Sequence, residues 1–274
     1  MKTKTLKLVG SADQLLYVSF PNLDDGKCIS AFTTRMGGVS RGKYASMNMS
    51  FSNGDSSRAV RKNYDILFGA LGLDPERAVF SHQTHTSNLR IVRECDIGKG
   101  IVVHRDYDNV DGLITNLKGV ALVTQFADCV PLLFYDPKAE VIAASHAGWR
   151  GTVQEIGKKT VEAMVSLYGC NPKNIKAAIG PSIGSCCYEV DDPVLDSFRT
   201  IEYLPLSQIF TEKENGKYML DLWTANRLIL EKAGVLPKNI CVTDLCTCCI
   251  SNFFHSHRAS GGSRGNLAAV IAQK

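Results

Sequence analysis

Apolar residues along the chain fall into short dense runs broken by glycine and polar clusters, and three of these runs lie close together at the centre. Gly119–Phe126 is apolar at nearly every position, as expected of a strand buried on both faces. Val130–Tyr135 and Val141–Ser145 repeat that pattern on either side of the Asp136-Pro137 turn. Shorter strands are expected at Cys28–Thr33, Val79–Phe80, Leu89–Val92, Ile101–Val103, Ile175–Ile179, Ile240–Thr243 and Leu267–Ile271. Helical spacing predicts a helix from Ser57 to about Phe68, with Val60, Tyr64, Leu67 and Phe68 on one face and Gly69 near its end. A second is expected from Thr152, where Thr152 and Glu155 have capping-box spacing, through Leu167 to a stop at Gly169. A third runs from Asp221 to Ala233 before Gly234. Strands and helices alternate without clean βαβ periodicity, which predicts a mixed-sheet α/β or α+β fold rather than a doubly wound one.

No linker interrupts residues 1–274, so a single domain is expected. The formal charge is only +4, from 31 basic and 27 acidic residues, which gives no ground for a nucleic-acid partner. No run is apolar and long enough for a membrane span, and the N-terminal segment lacks the apolar core of a secretory signal. Ten cysteines in a chain of this length, several of them adjacent, read as reduced thiols in the cytoplasm rather than a disulfide scaffold.

The candidate chemistry sits just past strand-like runs: Ser81-His-Gln-Thr-His85, Ala127-Asp-Cys129 and Ser145-His146. Two imidazoles and a thiolate suit zinc, and three protein ligands with one open position describe a catalytic site. Spacing alone leaves His82 and His85 unranked. Cys129 with His146 also reads as a cysteine-hydrolase pair, Cys187 as another nucleophile, and a zinc kept only for structure as a binding module. Cys246, Cys248, Cys249, His255 and His257 form a second cluster, but its spacing is cramped for a metal. Arg258 and Arg264 bracket a Gly/Ser-rich run and suit a small anionic substrate.

These motifs carry a resemblance. Thr33-Thr-Arg35-Met-Gly-Gly-Val-Ser40, Ser46-Met-Asn48-Met-Ser50, Ser81-His-Gln83-Thr-His85, Asp111-Gly-Leu-Ile-Thr115, Ala127-Asp-Cys129-Val-Pro131 and His146-Ala-Gly-Trp149-Arg150-Gly151 resemble the laccase-domain family, as do Gly180-Pro-Ser-Ile-Gly184, Cys187-Tyr-Glu-Val190 and Phe253-Phe-His-Ser-His257-Arg258. This family was once described as multicopper polyphenol oxidoreductases and is now assigned as purine nucleoside phosphorylases. The resemblance implies an α/β/β/α layered fold and metal ligands at His85, Cys129 and His146. It also implies phosphorolysis of adenosine, inosine, guanosine and methylthioadenosine, and deamination of adenosine. A multicopper oxidase needs more histidines than the six present, so at most one copper could replace zinc.

On that reading, Arg35, Arg150 and Arg258 are candidates to hold phosphate. Ser46 and Asn48 are expected to bind ribose hydroxyls or to order the glycine-rich loop. Asp128 is a candidate acid–base group or a partner of the metal ligands, although strand alternation turns it away from Cys129. The tail Arg258-Ala-Ser-Gly-Gly-Ser-Arg264-Gly departs from the family's Arg-Asp/Glu-Gly-x-Thr-Gly-Arg, as does His85-Thr-Ser-Asn-Leu-Arg90 after the ligand histidine.

Overall fold

In the computed structural model, residues 6–8 and 15–274 are described, with side chains from Leu15 onward. Most of the stretch read above for a secretory signal lies outside the described residues. Two six-stranded mixed sheets dominate the fold. The first orders its strands Leu6–Leu8, Leu16–Ser19, Cys28–Thr33, Leu267–Gln273, Ala121–Phe126, Ala78–Phe80. The second orders them Ile240–Val242, Lys176–Ile179, Val130–Asp136, Val141–Ala147, Gly112–Thr115, Leu89–Ile91.

The continuous apolar runs are explained by three layers of packing. Along Ala121–Phe126, Leu122 and Phe126 point between the sheets, where they join Phe32, Ile271, Leu133, Tyr135 and Ile142. Ala121 and Val123 point outward, into a core shared with Tyr64, Leu67 and Phe68 of the helix Ser57–Leu71. The second sheet alternates in the same way. Its outer residues Val130, Leu132, Phe134 and Ala143 pack with Ile156, Val161 and Met164 of the helix Ile156–Tyr168 and with Ile229 and Leu230 of the helix Leu222–Lys232. Each central strand therefore has no solvent face, which removes the polar alternation of a half-exposed strand. The layers read α/β/β/α, as the resemblance implied.

Several local expectations differ from the structure. Residues 101–102 form a turn and Val103 only an isolated bridge with Lys99, rather than a strand. The first helix continues to Leu71 and ends on Gly72, which takes a left-handed φ of 67° and returns its N–H to Gly69 and Phe68. The Thr152–Glu155 capping box does not form. A short helix, Trp149–Val153, precedes that point, and the chain breaks at Glu155, whose φ is 55°. Thr152 instead accepts a hydrogen bond from the buried Asn226, and Glu155 accepts one from the Tyr203 hydroxyl. A small third sheet of Glu189–Val190, Tyr218–Leu220 and Phe210–Glu212, and the helix Asp192–Arg199, carried no sequence signal strong enough to be read. No helix among the described residues is long and apolar enough to cross a membrane.

Leu122 is fully buried between the two sheets. Leu122→Ala is expected to destabilise the fold by about 2–5 kcal/mol, through lost transfer free energy and the cavity left behind. Urea unfolding of wild type and variant checks this.

Candidate metal centre

Three chain segments deliver the centre to one rim of the sandwich. Ala127–Cys129 carries the chain from the first sheet to the second, between strands Ala121–Phe126 and Val130–Asp136. Asp128 takes a left-handed φ of 84° there. His146 lies near the end of Val141–Ala147. It shares the inward face with Ile142 and Ala144, and its ring centroid is 5.4 Å from that of Phe126. His85 stands on the loop after Ala78–Phe80, also in the left-handed region at φ 65°. Its Nε2 is 3.8 Å from the Cys129 Sγ, and its ring meets that of His146 edge-on at 4.9 Å. One donor atom from each of His85, Cys129 and His146 lies within 4.8 Å of the others.

Asp111 organises two of the three. Its fully buried carboxylate accepts hydrogen bonds from the backbone N–H groups of Thr84, His85 and Thr86, at 3.1, 3.1 and 2.9 Å. The Thr86 hydroxyl donates to it at 2.8 Å, and His146 Nδ1 lies 2.9 Å away. A carboxylate cannot donate, so the Nδ1 proton stays on His146 and its Nε2 lone pair is left free for a ligand. Burial pushes the Asp111 carboxyl up, but His146 and Thr86 more than offset this and hold it at about 2. Burial also pushes the Cys129 thiol up, and the facing His146 and His85 pull it below its ordinary value. His146 is displaced the opposite way: burial lowers it, and Cys129 and Asp111 together raise it.

Glycine is needed beside the donors. A Cβ on Gly148 would sit 3.0 Å from Cys129 Sγ and 3.1 Å from the His85 ring. The donor set, the fixed tautomer and this cleared space fit a single metal ion. The donors face a cavity of about 230 Å³, whose polar lining includes Gln83, Arg105, Gln125, Arg264 and Asn266.

The other residues singled out from sequence lie elsewhere. Arg35 donates to the carbonyls of Ala45 and Ser251. Ser46 accepts from the Gly38 N–H and donates to the Arg35 carbonyl. Asn48 is wholly buried, holding Ser50, Asn53, Asp55 and the Asn266 N–H. These two residues thus order the glycine-rich loop. A Cβ on Gly38 would lie only 2.2 Å from the Ser46 carbonyl oxygen, so the close backbone approach within Arg35–Ser46 requires glycine. Arg150 covers the Trp149 ring at 4.1 Å. Arg258 donates to the carbonyls of Cys187 and Glu189. None of these five lines the cavity. Asp128 points away from the donors, as alternation suggested: it accepts from the Thr247 hydroxyl at 2.6 Å and the Arg258 N–H at 2.7 Å. Those two bonds tie its carboxylate to the 247 and 258 segments, the partner role rather than the proton-transfer role weighed from sequence. Sequence reasoning missed Asp111 and Arg105. Asp111 stood in a quoted motif, but its hydrogen-bond partners come from a different loop.

Residues 29–274 match the family model described as "Multi-copper polyphenol oxidoreductase laccase". The chain belongs to this family. Within the laccase family, it is 39% identical over 256 residues to the protein named purine nucleoside phosphorylase YlmD of Bacillus subtilis, covering 92% of this chain and 91% of that one. It is 34% identical over 251 residues to a prokaryotic protein named adenosine deaminase RL5, covering 90% and 94%. The crystal structure of the Bacillus licheniformis protein YfiH superposes with a TM-score of 0.91 at 34% identity, covering 99% and 100% of the two chains. For a family whose description names several coppers, the small histidine complement matters: only two of the six histidines, His85 and His146, fall in a cluster able to hold a metal.

Asp111→Asn removes the acceptor that holds His146 and the His85 loop. Metal affinity, measured with zinc as the probe ion by competition with a chromophoric chelator, is expected to fall by about 10–100-fold.

Proposed function

We propose that the chain is a purine nucleoside phosphorylase. It would convert adenosine, inosine, guanosine and S-methyl-5′-thioadenosine, with phosphate, to free base and a ribose-1-phosphate derivative. The observation that carries this reading is the convergence of His85, Cys129 and His146 at the wall of a polar cavity containing Arg105 and Arg264. The relatives named purine nucleoside phosphorylase support it.

Zinc is the ion we assign to the three donors. None of the residues lining the cavity is a methionine, the weak axial donor usual in His₂Cys copper sites. When bound, the ion supplies Lewis acidity in the cavity. In phosphorolysis, a phosphate oxygen forms a bond to C1′ as the bond from C1′ to the purine nitrogen breaks, and the purine leaves with that electron pair. Arg264 is well sited to hold the phosphate. It is half-buried, and its Nε is buried without a protein partner. Arg105, anchored through Nη1 to the Ser81 carbonyl, adds a second positive charge to the cavity. Asn266 and His257 hold the Nη groups of Arg264, which leaves its Nε and the second Nη of Arg105 to meet phosphate oxygens. Asp111 keeps the His146 ring in one orientation throughout, so the donor set needs no rearrangement.

Deamination of adenosine is the second activity we assign to this centre, supported by the relative named adenosine deaminase. There, water takes the place of phosphate as co-reactant and ammonia leaves C6. A thiol nucleophile at Cys129 is the weaker reading, because its sulfur faces two imidazoles rather than one.

Base release from a nucleoside panel, with and without phosphate, tests the proposal. Wild type is expected to release base only with phosphate, and His85→Ala and Cys129→Ala to lose more than about 100-fold of that activity. Phosphate-independent base release of equal rate in all three proteins would exclude it. Arg264→Met should raise the KM for phosphate by at least about tenfold while leaving bound zinc in place.

A further inference from the structure

Four cysteine sulfurs, from Cys186, Cys187, Cys246 and Cys249, converge on one point, and the chemistry proposed above uses none of them. All four Sγ atoms lie within 4.8 Å of one another. Cys249 Sγ is 3.3 Å from Cys186 Sγ and 3.4 Å from Cys187 Sγ. In a tetrahedral zinc thiolate site with Zn–S of about 2.3 Å, the sulfurs stand about 3.8 Å apart. A disulfide would need about 2.05 Å, well short of these separations. A four-iron cluster places each thiolate on its own iron and needs them farther apart than these sulfurs lie.

The local backbone is built for these sulfurs. Cys246-Thr-Cys-Cys249 has the two-residue spacing of a zinc knuckle, which the cramped Cys246-x-Cys248 reading overlooked. The N–H groups of Gly184 and Cys249 both point at Cys246 Sγ, at 3.3 and 3.5 Å. Such bonds stabilise a thiolate. Cys186 and Cys187 sit in a turn closed by the Cys187 N–H on the Gly184 carbonyl, so adjacent side chains need not point to opposite faces as they would in a strand. A Cβ on Gly184 would lie 3.3 Å from Cys186 Sγ and 2.8 Å from the Trp223 ring, so this close approach requires glycine. His255 and His257, weighed with these cysteines from sequence, are not in the cluster, and neither is Cys248.

We propose that Cys186, Cys187, Cys246 and Cys249 form a second, structural metal site for a single zinc ion, separate from the His85–Cys129–His146 centre. Four protein ligands close the coordination sphere, which makes the site a clamp rather than a reaction centre. It fastens the 182–188 segment to the 245–250 segment, which the backbone already joins through Ser182 N–H to Leu245 and Thr247 N–H to Ser182. Thr247, between two of the ligands, donates to Asp128, the neighbour of Cys129. The clamp therefore braces the turn that carries the catalytic-site thiol. Arg258, bonded to the Cys187 carbonyl, brings positive charge beside a site whose four thiolates outweigh the ion.

The test is metal content of protein purified under reducing, anaerobic conditions, reconstituted with zinc and passed over chelating resin. Three forms are compared: wild type, His85→Ala/His146→Ala and Cys187→Ser/Cys249→Ser. Two equivalents are expected in wild type and one in each double variant. Reconstituted with cobalt(II), the His85→Ala/His146→Ala protein should show intense thiolate-to-metal charge transfer and four-coordinate ligand-field bands. This spectrum decides the matter alone if the cysteine variant does not fold. Absence of bound metal in His85→Ala/His146→Ala overturns the proposal, as does an undiminished two equivalents in Cys187→Ser/Cys249→Ser. One equivalent in both wild type and His85→Ala/His146→Ala would uphold the clamp while counting against metal at the other centre.

Discussion

A single buried carboxylate, that of Asp111, receives three successive backbone N–H groups, one hydroxyl and one imidazole. A charge without solvent must be met by donors, and here the donors are the functional loop itself. The loop that carries His85 closes on Asp111 because Thr84, His85 and Thr86 have no other acceptor so well placed, and that closure puts His85 in the left-handed conformation that aims its ring at Cys129. The same carboxylate sets the tautomer of His146. Loss of its charge would loosen both imidazoles at once, whereas Cys129 is fixed independently by the sheet-to-sheet crossing. The centre therefore joins one rigid donor to two that share a single support.

The strands Val130–Asp136 and Val141–Ala147 were legible as dense apolar runs because both of their faces are covered, and no competing pattern could arise. His146 and Cys129 were legible as donors because each follows directly on such a run. The choice of His85 over His82 was not legible from spacing: His85 lies on an irregular loop whose shape depends on Asp111, twenty-six positions away. The family resemblance supplied that choice. Arg105 and Arg264 reach the cavity from loops distant in sequence, and no local period reports such a meeting. Arg35 and Asn48 were candidates on the resemblance, yet their polar groups are spent on backbone and side chains of the 35–55 loop and on Ser251. The break at Glu155 was hidden for a related reason, since Thr152 and Glu155 have better partners in Asn226 and Tyr203 than in each other.

The two cysteine-bearing sites differ in how they treat sulfur. Cys129 has imidazoles for neighbours and opens on a polar cavity. The four-cysteine group has only other thiols as its donors, and two of them, Cys186 and Cys249, are exposed. Asp128 links them, with its carboxylate on the Thr247 side and its backbone leading directly into Cys129. A residue first considered for proton transfer is thus better understood as mechanical coupling between the segment that binds one group of sulfurs and the segment that presents the other.

The strand Leu267–Gln273 pairs with Cys28–Thr33 on one side and Ala121–Phe126 on the other, and all seven of its residues are buried. During synthesis, the first sheet therefore exists as two unjoined halves until this late segment has left the ribosome. The second sheet contains no strand from beyond Val242, so its pairing is complete earlier. Cys129 lies on the boundary between a sheet that can assemble early and one that must wait. Its position relative to His146 is set early, by the pairing of Val130 with Ala147, whereas the wall formed by the completed first sheet arrives last.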